Sequence, residues 1–94
     1  MATESYATIT SKTAKKVGDI VFAQINFVFK SKANPNQVYE VADVGGLGTL
    51  ATRGLGSYLN GAAWVSGGGI ATVNPTIAVE AGSEQYAQFV FLVL

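Results

Sequence analysis

The sequence contains no cysteine and no histidine. Without thiols there are no disulfides, and without thiols and imidazoles the usual structural zinc patterns are excluded. Acid–base work would fall to Glu40, Asp43, Glu80 or Glu84, and nucleophilic work to an unactivated Ser or Thr. Charge is scarce as well: 13% of the residues are Asp, Glu, Lys or Arg, against about 25% in ordinary soluble domains. Six basic and six acidic residues cancel, which argues against a nucleic-acid binder or an electrostatic membrane ligand. No segment reaches the ~18–20 apolar residues of a membrane-spanning helix. Met1-Ala2-Thr3-Glu4-Ser5 carries neither the basic nor the apolar region of a signal peptide. Asn74-Pro75-Thr76 has the outline of a glycosylation sequon, but proline in its middle position disqualifies it. Helical spacing of apolar residues is missing throughout, because Gly, Thr and Val interrupt every candidate.

What is present is a series of short β runs separated by turn signals. The most informative is the last, Tyr86 to Leu94. Alternation puts Ala87, Phe89, Phe91 and Val93 on one face and Tyr86, Gln88, Val90, Leu92 and Leu94 on the other. Both faces are apolar apart from one glutamine, which predicts a central strand covered on one side by the core and on the other by something else. Ile20 to Phe29 is the strongest internal strand. Val21, Ala23, Ile25, Phe27 and Phe29 form its core stripe. Ile20, Phe22, Gln24, Asn26 and Val28 form a second face, too apolar for water and too polar for a monomer core. Such a face fits a subunit interface, where amides bond across the contact.

Shorter strands are expected at Tyr6–Thr13, Gln37–Val41, Thr49–Thr52, Ala62–Ser66, Ile70–Val73 and Thr76–Val79. The turns between them are expected at Lys15 to Asp19, Ala33-Asn34-Pro35-Asn36, Asn60-Gly61, Gly67-Gly68-Gly69, Asn74-Pro75 and Ala81-Gly82-Ser83. The total is one all-β domain over residues 1–94, a jelly-roll-like sandwich or barrel of about eight short strands with no significant helix. Residues 1–13 are read as its first strand or the end of a stalk. A chain of 94 residues buries only roughly 60–65% of its unfolded surface. With disulfides and metals excluded, oligomerisation is the remaining way to stabilise it.

Nine of the eleven glycines lie between Gly45 and Gly69. They do not make a phosphate cradle, since the third glycine of a dinucleotide fingerprint and the Gly-Lys-Ser/Thr of a P-loop are both missing. Lys12, Lys15, Lys16, Lys30 and Lys32 gather in the first third and read as solubilising charges at strand ends and edges. No enzyme activity and no cofactor are expected. The constellation with chemistry in it is Trp64, Tyr58, Asp43, Arg53 and Asn60. An aromatic face takes the C–H surface of a sugar ring, while carboxylate, amide and guanidinium bond its hydroxyls. The other role open to Trp64 and Tyr58 is packing in a core or an interface.

The run Lys15-Lys16-Val17-Gly18-Asp19-Ile20-Val21, a long alternating strand, a Gly-rich centre and a terminal aromatic-aliphatic strand together resemble the C-terminal head domains of bacteriophage receptor-binding proteins and tail-fibre tips. The resemblance is one of layout and covers residues 6–94. It implies a homotrimer of β heads on a virion, acting outside the host cell and binding a cell-surface saccharide. The alternative reading is a structural β subunit of a capsid, spike or extracellular filament with no ligand site.

Overall fold

Two strongly alternating segments, β2 (Ile20–Phe29) and β7 (Gln85–Leu92), pair antiparallel and set the architecture. In both, every second residue is buried, so one face of each strand lines a common interior. The computed structural model describes residues 6–47, 53–66 and 68–93. The remaining described strands are β1 (Ala7–Val17), β3 (Tyr39–Asp43), β4 (Gly54–Tyr58), β5 (Gly61–Val65) and β6 (Ile70–Pro75). One short 3-10 turn, Gly45–Leu47, is the sole helical element among the described residues.

All seven strands belong to one antiparallel sheet in the order β1-β2-β7-β4-β5-β6-β3. β4, β5 and β6 form a meander, and β7 returns beside β4, which is a Greek-key arrangement. The sheet curls until its two edges meet, giving a nearly closed barrel. At that seam Tyr6 packs edge-on against Tyr39, with ring centroids 5.5 Å apart. Lys12 Nζ donates to the Asp43 backbone carbonyl across the same seam at 3.1 Å. The interior holds Val21, Ile25, Phe27 and Phe29 of β2, Val41 of β3, Val65 of β5, Val73 of β6, and Phe89 and Phe91 of β7. The terminal strand is therefore internal to the sheet, and the predicted core stripes of β2 and β7 are the ones buried.

Several boundaries differ from the sequence expectation, each for a local reason. β1 runs on through Lys15, Lys16 and Val17, and only Gly18-Asp19 turn, with Gly18 at φ 60°. The segment Gly54–Tyr58, where the sequence pattern places no strand, is strand β4. Its inward positions are Gly54 and Gly56, and a Cβ on Gly56 would lie 2.7 Å from Phe89 Cδ1 and 2.9 Å from the Ala63 carbonyl carbon. Glycine stands there because the Phe89 ring of β7 occupies the space. The β4–β5 hairpin turns at Leu59-Asn60 rather than Asn60-Gly61, since Tyr58 pairs with Gly61. Neither Leu59 nor Asn60 has positive φ, so the primed turn that Asn-Gly favours is not used. Gly61 is needed for close approach instead: a Cβ there would lie 2.9 Å from Pro75 Cα. Asn74-Pro75 does not interrupt β6 but ends it. Thr76–Val79 shrinks to one bridge, Val79 to Ala33. The expected strand Thr49–Thr52 lies outside the described residues.

Candidate functional site

Tyr58 and Asn60 meet at Gln85, inside one end of the barrel. Tyr58 ends β4 on an inward position, Gln85 opens β7 on the facing one, and the tight β4–β5 turn carries Asn60 over both. Gln85 Oε1 accepts from the Tyr58 hydroxyl at 2.8 Å and from Asn60 Nδ2 at 2.7 Å. Its Nε2 donates to the Glu84 carbonyl at 3.0 Å. Tyr58 also stacks on Phe27, with ring centroids 6.0 Å apart. Burial pushes the Tyr58 hydroxyl up to about 12, partly offset by the Asn60 amide. The cluster closes the barrel end: it satisfies polar atoms that the core would otherwise strand. Tyr58 thus takes its packing role, with its ring facing the core rather than solvent.

Asp43, Arg53 and Trp64 are placed differently. Trp64 lies on the outer side of β5, half-buried, between Leu55 of β4 and Thr72 of β6. Arg53 immediately precedes Gly54, the residue that pairs with Val65, and is exposed. The pleat sets it on the same outer side as Leu55, diagonal to Trp64. Asp43 ends β3 opposite Ile70 of β6, also exposed. Its Oδ1 accepts from the Gly45 backbone N–H at 2.9 Å and fixes the turn that follows. A depression of 450 Å3 beside it is lined by Lys12, Asp43, Gly45, Gly46 and Gly68. Trp64, Arg53 and Asp43 therefore share the outer surface of β4-β5-β6-β3, while Tyr58 and Asn60 belong to the opposite end.

The exterior of β1, β2, β7 and β4 carries an apolar row beside a polar one with little charge. Register stacks two rows across β1, β2, β7 and β4. One row is Lys15, Phe22, Val90 and Leu55, and the other is Thr13, Gln24, Gln88 and Ser57. Together they line a groove of 650 Å3. Leu55 is 74% exposed and Phe22 52%, and Ile20 and Leu92 extend the apolar surface toward the barrel end. This is the second face of β2 and β7 that the sequence pattern set apart. Leu55 was missed because Gly54-Leu55-Gly56 has the composition of a turn. Nothing within Gly54-Leu55-Gly56 itself separates it from a turn. Among the described residues no cluster of acidic side chains could hold a metal ion.

No family model, curated protein or solved structure matches the chain.

Proposed function

We propose that this chain is the β-barrel head of an oligomeric, virion-borne attachment protein that binds a cell-surface saccharide. The observation that carries the reading is the shared outer surface of Trp64, Arg53 and Asp43 on a rigid β scaffold. The part of the Trp64 indole left exposed offers a platform for the C–H face of a pyranose. Arg53, just before the neighbouring strand β4, and Asp43, two strands across on β3, supply donors and acceptors for its hydroxyls. Each such contact is weak, and attachment depends on several heads acting together. The layout resemblance to phage tail-fibre heads supports a trimer. No covalent chemistry is involved and no cofactor is called for.

A second reading, a structural subunit without a ligand, draws support from the exposed apolar groove, which serves assembly equally well in either case. The two part on Trp64. A glycan array probed with the assembled wild-type chain and with Trp64→Ala, Arg53→Ala and Asp43→Ala decides between them. The attachment reading expects saccharide binding in the wild type, its loss in Trp64→Ala and its weakening in the other two. Absence of binding by the wild type, or equal binding by Trp64→Ala, sinks it and leaves the structural subunit.

A further inference from the structure

The apolar groove is concave, and a second copy turned face to face would set one concavity against another. Such a pairing leaves unfilled space and forfeits the dispersion contacts of a packed interface. The occupant must be convex, apolar and uncharged, because Lys15 at the rim is the single charged side chain among the residues that line the groove. The same chain presents a surface of that description at the barrel end opposite the Gly18-Asp19 turn. Val38, Leu59 and Ile77 stand there, 51%, 61% and 54% exposed. The Thr76 N–H and hydroxyl both donate to the Asn60 carbonyl, at 2.9 and 3.1 Å, which joins the turns carrying Leu59 and Ile77. The Asn36 N–H donates to the Pro75 carbonyl at 2.7 Å and brings in the loop carrying Val38. Residues 33–38, 59–60 and 76–78 contain no Asp, Glu, Lys or Arg.

We propose that the tip formed by Val38, Leu59 and Ile77 of one copy seats in the Phe22, Val90 and Leu55 groove of the next. The Gln24–Gln88 row lies beneath the incoming turn. Its amides offer both donors and acceptors to the polar backbone of that turn. The contact joins two different patches, so it is heterologous: an open chain of copies keeps a free groove at one end and a free tip at the other until a ring closes. A closed ring of three is the smallest such assembly consistent with the trimer reading, on which this proposal rests. Trp64 is the cross-strand neighbour of Leu55 and so borders this contact, whereas Asp43, on β3, lies clear of it.

Size-exclusion chromatography with light scattering tests the contact on the full chain, on Phe22→Lys in the groove, on Leu59→Asp at the tip, and on their equimolar mixture. Both positions are exposed, and circular dichroism checks that each variant keeps its strands. Gln88→Lys replaces Phe22→Lys should the latter fail to fold. The wild type is expected at three or more times the 9.8 kDa chain mass, and each single variant at one chain mass. The mixture is expected to recover a species of two chain masses, because one variant retains an intact groove and the other an intact tip. A face-to-face interface predicts instead that Leu59→Asp assembles like the wild type. That result, a monomeric wild type or a mixture that stays monomeric overturns the proposal. A wild-type oligomer with an indifferent Leu59→Asp removes the tip-in-groove contact alone. A monomeric wild type removes the trimer reading with it, and glycan binding is scored separately on the array.

Discussion

Single residues in this barrel are held by space as much as by chemistry. Gly56 faces inward on a central strand, where a side chain would meet the Phe89 ring at 2.7 Å and the Ala63 backbone at 2.9 Å. Gly56→Val is therefore expected to destabilise the fold by about 1–3 kcal/mol through overpacking. Gly46→Ala, with nothing within 4 Å of its added Cβ, serves as the matched control. Urea midpoints of the two variants, compared with wild type, check both. Tyr58 gives a pH-dependent case. Its folded pKa of about 12 lies above the ordinary 10.0, chiefly because burial disfavours the phenolate. As pH rises, the unfolded chain releases this proton first, so unfolding becomes more favourable. The stabilisation is complete below pH 10 and is lost progressively between pH 10 and 12. Tyr58→Phe removes the bond to Gln85 and is expected to cost about 0.5–1.5 kcal/mol at neutral pH. Its stability should then fall less steeply than that of wild type across the alkaline window. Urea unfolding of both proteins at about pH 8 and about pH 11 measures the difference, and parallel losses would remove the role assigned to the hydroxyl.

At the level of strands, what could be read in advance was whatever rested on side-chain alternation. β2 and β7 carry long runs of large apolar residues, and hydrophobic burial fixes which face turns inward. β4 was illegible because two of its inward positions are glycines: the Phe89 ring crowds Gly56, the Cβ atoms of Phe91 and Val65 crowd Gly54, and no pattern in Gly54-Leu55-Gly56 itself reveals that. Asn60-Gly61 misled for a related reason. Gly61 answers to the closeness of Pro75 on the neighbouring strand, a tertiary demand that resembles a turn signal. The candidate site divided along the same line. Trp64 and Tyr58 lie on strands of opposite parity, which places one outside and the other inside, and with β4 unrecognised the parity of Tyr58 was out of reach. β1 adds a separate consequence. It has 11 residues against 5 in β3, its counterpart at the seam, so its far half overhangs with an unpaired edge. Lys12, whose ammonium reaches Asp43 across the seam, stands where that stretch begins and Lys15 and Lys16 stand on it, and all three discourage strand addition by other chains. Replacing all three with threonine keeps β propensity while removing the charge, and should raise the rate of aggregation. Turbidity and thioflavin fluorescence on heating would show it, and an unchanged rate would mean that the barrel seam itself protects the edge.

For the whole molecule, low charge, small size and a two-faced sheet converge on assembly. One barrel of 94 residues has 12 charged side chains and exposes Ile20, Phe22, Leu55, Val90 and Leu92 on a continuous surface. Water is a poor neighbour for such a patch, and a second protein surface is a good one. On the proposed reading assembly and recognition use different residues of one row, in which Phe22 lies three strands from Trp64. Phe22→Lys should release single heads whose Trp64, Arg53 and Asp43 are untouched. Their affinity for an isolated saccharide in solution is then expected to equal that of the assembled wild type, site for site. Attachment to a dense saccharide-coated surface is expected to weaken by roughly 10²–10⁴, because linked sites rebind at high effective concentration and single heads do not. Calorimetry with free saccharide and surface plasmon resonance on a coated chip measure the two quantities. Equal loss in both would place Phe22 in the saccharide site itself, and no loss in either would mean that a single head suffices for attachment. A loss confined to the surface measurement is the outcome that ties the Phe22 groove to assembly and the Trp64 surface to recognition.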